Sequence, residues 1–428
     1  MSITGYLDAN DGWSVQGWAF DEANPGRAVV VEVFLPSGYR ETVVADQFRE
    51  DLRVNGVGDG RHAFTFKLPN DELAGPGASI AARIAGTEIE LTGSPMPLCA
   101  RQSVGLVAGD IVNNCNLRCP FCIVDYTNIR GLKLMNDTTF ERVKALLPLM
   151  PRGNFWLSCL HEPTLHPRFM NFIFSVPPEM RRCISFTTNL SRPMTEEQIE
   201  RLANSGVGSI RVSFDSDDPA QFEQLRVGAK FGNFQTNLLS LARHLRASRD
   251  RPWFEIITMA FRPNHLRIPE LVAYCKDQLG ADSHDVRFIY YVPHVALWGR
   301  EHILDLGEWS RLESALAPLR ERLKHLTLSG PAEGAHAKFA EDESLKSYVA
   351  REIAFGGSDD ASSIPIPDAV TIGSQLVDKP LKLRLRWDGL MMIEDKPESF
   401  FRVDINRLTD PKGYFEAMRI AARDAGSL

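Results

Sequence analysis

Two rhythms of apolar and polar positions divide the chain. Up to about residue 95, short β-branched and aromatic runs recur at 14–20, 28–35, 39–45, 62–68, 79–84 and 88–92. Turn residues such as Asn24-Pro25-Gly26, Ser37-Gly38 and Gly58-Asp59-Gly60 separate them. This rhythm predicts an antiparallel β-sandwich of about seven strands, with residues 93–97 as linker.

From about residue 103 the period changes. Strand-like runs near 104–112, 154–160, 183–188, 208–215, 254–261 and 285–292 alternate with amphipathic stretches, which predicts βα units and a parallel sheet. Asp137 is placed to cap a helix whose Phe140, Val143, Leu146 and Leu147 form one apolar stripe. Thr195 and Gln198 form a capping box, and Gly206 ends that helix. Right-handed crossovers would curl six such units into a partial (β/α)6 TIM-like barrel with ligands at the C-terminal strand ends. Beyond residue 305 the pattern weakens to helices near 308–325 and 338–354, a Gly/Ser/Asp-rich stretch at 356–363 that reads as mobile, and a strand-like run at 381–393. The expected class is therefore α/β: a β-sandwich accessory domain (1–95), the partial barrel (103–305) and a small C-terminal α+β region (306–428).

Composition narrows the function classes. The 428 residues are 44% hydrophobic and 24% charged, as in ordinary globular proteins. A net charge of −7 gives no basic footprint, so nucleic acid is not an expected partner. The N-terminus lacks a positive start and an apolar core, and no apolar run reaches about 18 residues, so a cytoplasmic location without membrane insertion is expected.

Three of the seven cysteines, Cys115, Cys119 and Cys122, fall within eight residues directly after the first barrel strand. In a reducing compartment such crowding indicates metal binding before disulfides. Spacings of four and three let one loop present three thiolates to an iron–sulfur cubane and leave one iron open to a chelating ligand. Structural zinc is the competing reading; it would ask for a fourth Cys or His at short spacing, and Cys99 and Cys159 lie outside any such motif. On the fourth strand, period two places Ile210, Val212 and Phe214 on one face and Arg211, Ser213 and Asp215 on the other. The polar face is expected to look into the barrel.

The CxxxCxxC loop, with Phe121 just before the third cysteine, resembles the cluster loop of the radical S-adenosylmethionine (radical SAM) superfamily. Three further segments, in the same order, resemble that family's motifs. Glu162-Pro163 with Leu165-His166-Pro167 is similar to its Gly-Gly-Glu-Pro segment, although Leu160-His161 replaces the glycines. Thr188-Asn189 is similar to its Thr-Asn-Gly turn, with Leu190 in place of glycine, and Val212-Ser213-Phe214-Asp215 is similar to its Val-Ser-Leu-Asp strand. The resemblance spans roughly residues 104–295. It implies one [4Fe–4S] cluster on the three cysteines and S-adenosylmethionine held by Phe121, Glu162, Thr188, Asn189, Ser213, Asp215 and Arg226, the last paired with the methionine carboxylate. The implied chemistry is cleavage of the cofactor to a 5′-deoxyadenosyl radical that takes hydrogen from a substrate carbon. A reducing electron-transfer protein is the implied partner.

The ends of the chain bear on the substrate. Trp387-Asp388-Gly389 and residues 401–406 resemble the family's C-terminal SPASM domain, but no cysteine follows Cys275, so auxiliary clusters are not expected. Residues 15–21 and 45–52 resemble a small β domain attached to bacterial glycosyltransferases, which points to a saccharide-like substrate and to Trp13 or Trp18 as sugar-stacking residues. A peptide substrate bound through a leader, and a catalytically silent iron–sulfur scaffold, are the alternatives. Candidate groups for substrate chemistry are Cys159, as a hydrogen donor, and Tyr290, Tyr291 and His294 at the barrel mouth.

Overall fold

The computed structural model describes residues 3–69, 77–99, 101–150, 154–158, 160–289, 291–323, 325–331, 366–376, 379–396 and 399–425. The expected helix at 338–354, the stretch at 356–363, Cys159 and Tyr290 lie outside them. The chain divides into two compact units, Met1–Ser103 and Val104–Leu428.

The first unit contains β1 (Ile3–Asn10), β2 (Ser14–Asp21), β3 (Val29–Phe34), β4 (Arg40–Ala45), β5 (Gln47–Phe48), β6 (Arg61–Lys67), β7 (Ser79–Ile84) and β8 (Met96–Pro97). They form two four-stranded sheets, ordered β1-β2-β6-β5 and β4-β3-β7-β8, in which neighbouring strands pair antiparallel. Inward positions recur every second residue, so Val15 and Ala19 of one sheet share a core with Val31, Val33, Ile80 and Ala82 of the other. Two sequence expectations change. Residues 88–92 form only isolated bridges, and β1 is an additional strand whose polar alternation hid it: only Leu7 is deeply buried. Trp13 is a core residue, 2% exposed, with Arg101 lying 4.5 Å from its ring centroid.

The second unit is built on a ten-stranded sheet. β9 (Val104–Gly109), β10 (Phe155–Trp156), β11 (Ile184–Thr188), β12 (Ser209–Ser213), β13 (Trp253–Met259), β14 (Ser283–Arg287) and β15 (Leu326–Ser329) run parallel in chain order. β16 (Leu381–Leu385) pairs in parallel with the other side of β9, and β17 (Leu390–Lys396) and β18 (Ser399–Asp404) follow as antiparallel strands. The sheet thus extends beyond the six expected strands on both sides. Strand β15 has only four residues, too short to stand out by periodicity. Residues 381–393 are a hairpin rather than one strand, and the C-terminal region shares the compact unit of the parallel strands.

Alternation on β12 sorts the faces. Ile210, Val212 and Phe214 join Phe254 and Ile256 against Phe234, Leu238 and Leu241 of the helix Phe231–Ala247. The opposite positions of neighbouring strands carry Arg211 with Glu255, at 3.3 Å, and Asp285 with Arg287, at 2.6 Å. The Thr195/Gln198 capping box is present, whereas the cap of Asp137–Lys144 is Asn136, whose side chain accepts from Thr139 N; Asp137 is the first helical residue. Among the described residues, no helix is long and apolar enough to cross a membrane.

Candidate cofactor site and its relatives

The cysteine loop leaves β9 at Asp110 and is pinned before any ligand is considered. Leu117 is buried in the core, and Arg118 N donates to Val227 O at 2.8 Å. The Arg118 guanidinium donates to the carbonyls of Cys115 and Leu117, each at 2.7 Å, and lies 4.5 Å from the Tyr126 ring centroid. His294 Nε2 sits 2.8 Å from Cys122 O, so this exposed side chain, expected at the barrel mouth, steadies the loop. Tyr291 is half-buried and packs on an apolar cluster.

Each loop thiol has a hydrogen-bond donor beside it. Leu117 N and Asn189 Nδ2 approach Cys115 Sγ at 3.4 and 3.5 Å, and Val124 N approaches Cys122 Sγ at 3.5 Å. Arg226 attends Cys119. Burial, and then the Glu162 charge, push the Cys115 thiol up to about 12. Burial pushes Cys119 up to about 11 against the opposing pull of Arg226. Among the described residues no group of three His, Cys, Asp or Glu side chains converges on a single-ion position. A cubane spaces its sulfur ligands more widely than one ion does. Three soft sulfurs on one loop, each with a donor to a developing thiolate, therefore fit a [4Fe–4S] cluster.

Glu162 ties the second strand end to the third. Its Oε1 accepts from Thr164 Oγ1 (2.6 Å), Thr164 N (3.2 Å) and Thr188 Oγ1 (2.8 Å), and its Oε2 accepts from Asn189 N (2.8 Å). Burial pushes this carboxyl up, against those four hydrogen bonds to its charged form. The residue is 2% exposed, so this chain already occupies much of an acid expected to meet the cofactor amino group. Asn189 turns toward the cluster loop, donating to Asn116 Oδ1 at 3.0 Å as well as to Cys115 Sγ. Leu190, at the family's glycine position, has φ of +52°, and Asn237 Nδ2 holds its carbonyl at 2.9 Å.

Sequence reasoning missed Asp110. Its Oδ1 accepts from both Leu160 N and His161 N at 3.0 Å, which fixes the backbone that replaces the expected glycines. An acid closing the apolar run Val104–Gly109 was the readable signal. Tyr126 supports the same segment, its hydroxyl lying 3.0 Å from His161 Nδ1.

Three residues expected at the cofactor have partners within the chain. Asp215 is fully buried and accepts from Arg226 Nε (2.6 Å) and Met259 N (2.8 Å), so Arg226 meets a carboxylate of its own chain. Phe121 is 6% exposed and packs on Phe261 and Trp298, with centroids 4.7 and 5.6 Å away. Ser213 is half-buried at the end of β12, on the polar face as expected.

Residues 110–277 match the family model "Radical SAM superfamily". The chain carries a radical SAM domain. Its cofactors are a [4Fe–4S] cluster and S-adenosylmethionine. This domain is similar to "Probable GTP 3',8-cyclase" of Methanococcus maripaludis, 26% identical over 197 residues that cover 46% of this chain and 61% of that protein. It is also similar to the "Tungsten-containing aldehyde ferredoxin oxidoreductase cofactor-modifying protein" of Pyrococcus furiosus, 25% identical over 41% of this chain and 48% of that one. The chain thus spans less than two thirds of the length of either relative. Among solved structures, "Native anSMEcpe with bound AdoMet" aligns over 74% of this chain and 82% of that one at 13% identity, with a TM-score of 0.45.

Proposed function

We propose that this chain is a radical SAM enzyme that loads one cluster on Cys115, Cys119 and Cys122 and acts on a carbon–hydrogen bond of its substrate. The observation that carries this reading is three cysteine thiols on one pinned loop after the first strand of a parallel sheet. When bound, the cluster and S-adenosylmethionine supply a 5′-deoxyadenosyl radical that abstracts hydrogen. The protein's own contribution is to hold and orient. Leu117 N, Asn189 and Val124 N donate to the thiolates, and Asp110 fixes the Leu160-His161 backbone. Ser213 presents a hydroxyl on the polar face for the cofactor's ribose, and Thr188 and Asn189 shape the wall between them.

For substrate we propose a saccharide-like molecule recognised through the first unit. In support, Tyr6 and Trp18 are cross-strand neighbours, Tyr6 is 43% exposed, and both line a cleft with Thr4, Ile89 and Thr92. Such flat aromatic surface suits a sugar ring better than the buried Trp13 does.

The test is anaerobic reconstitution of the full chain. About four iron and four sulfide per chain are expected, with 5′-deoxyadenosine released from S-adenosylmethionine on reduction and lost in Cys119→Ala. Zinc, or no iron, in the oxygen-protected protein overturns the reading. Binding of the full chain to glycan and peptide panels, with Trp18→Ala as control, decides the substrate class; selective peptide binding would replace the saccharide proposal.

A further inference from the structure

The turn after the helix Pro219–Leu225 is docked onto the cysteine loop. Val227 O accepts from Arg118 N at 2.8 Å. Gly228 has φ of +98°, and a Cβ there would come within 3.2 Å of Asn116 O. Between these contacts and the sheet, the Arg226 guanidinium is 9% exposed and lies 5.2 Å from the centroid of the Phe121 ring, which is flanked by Cys119 and Cys122 in the loop.

This cation is locked in place. Its Nε donates to Asp215 Oδ2 at 2.6 Å, Asp215 Oδ1 is taken by Met259 N at 2.8 Å, and Asp215 O by Asn264 Nδ2 at 2.8 Å. Burying a charge is costly unless it is paired, and pairing alone is weak grounds for keeping it. Asp215 takes the guanidinium through Nε, and the same guanidinium lies over the Phe121 ring, so the cation is held by its carboxylate while it packs against the cysteine loop.

We propose that Arg226, held by Asp215, is a positioning residue that raises the reduction potential of the cluster on Cys115, Cys119 and Cys122. This inference rests on the radical SAM reading above. One-electron reduction adds a negative charge to the cluster, and a fixed cation beside a ligand sulfur stabilises the reduced form more than the oxidised one. Reduction by an external one-electron donor is thereby made easier without altering the ligands.

The experiment is a redox titration of the reconstituted full chain followed by electron paramagnetic resonance, with iron and sulfide counted in each sample. In Arg226→Gln the midpoint is expected to fall, with the reduced-to-oxidised ratio at fixed donor potential down roughly tenfold, about 59 mV for a one-electron couple. Arg226→Lys keeps the charge and should stay near the wild type. If Arg226→Gln does not take up a full cluster, Asp215→Asn decides: removal of the opposing anion should raise the midpoint, and an unchanged midpoint overturns the inference. A fully loaded Arg226→Gln chain at the wild-type midpoint overturns this inference alone. A wild-type chain that takes up no iron overturns the radical SAM reading and this inference with it.

Discussion

At the scale of single residues, Asp110 and His284 carry consequences that neither the cysteine spacing nor the family motifs announce. One oxygen of Asp110 serves two successive backbone donors, Leu160 N and His161 N. Asp110→Ala leaves both without that acceptor, and a lost partner at a part-buried donor costs about 1–3 kcal/mol. Thermal unfolding of the cluster-free protein should show that loss, with Asp110→Asn recovering part of it because its amide oxygen still accepts. His284 is fully buried with Nε2 2.8 Å from Thr258 Oγ1, and burial lowers it from 6.5 to about 3. Between those values the unfolded chain binds the extra proton. The stability conferred by neutral His284 is therefore complete above about pH 6.5 and is lost as pH falls toward 3, by up to about 1.4 kcal/mol per unit. Urea unfolding across this range should show a wild-type advantage over His284→Gln that grows with pH; a gap independent of pH would refute the assignment.

At the scale of elements, the loops after the strands do more than connect them. Gly228 combines a left-handed backbone with close approach to Asn116 O. Gly228→Ala should cost about 1–2 kcal/mol for the backbone alone and lower the iron retained per chain after reconstitution, because the turn and the cluster loop must part. Unchanged iron content would show that the contact is incidental. The Thr195/Gln198 box was legible because a cap is a local pattern, and so was the sorting of β12 into apolar and polar faces. Leu190 shows where local reading stops. A left-handed leucine is unfavourable by about 1–2 kcal/mol, but full burial of a leucine side chain is worth about 1.5–3 kcal/mol, so core packing overrides the turn preference for glycine.

At the scale of the whole molecule, the C-terminal strands are part of the sheet. Leu381, Leu383 and Leu385 of β16 are buried in the same core as Val104 and Val107 of β9. A chain truncated after residue 330 loses β16, which exposes the β9 edge and uncovers Val104 and Val107, and it is expected to accumulate as insoluble protein; soluble, cluster-binding truncated protein would contradict this. The sequence by itself determined the change from short strands to βα units near residue 103, the three-thiol loop after the first parallel strand, and the polar face of β12, because each depends on spacing within a few residues. Only the tertiary structure decided that Asp215 faces Arg226, that Asp110 holds the Leu160-His161 backbone, that His294 steadies the cysteine loop, and that β16 extends the sheet at β9. Those are contacts between residues 11 to nearly 300 positions apart. Which buried donor meets which acceptor is set by how the strands pack, and a linear pattern does not encode that distance.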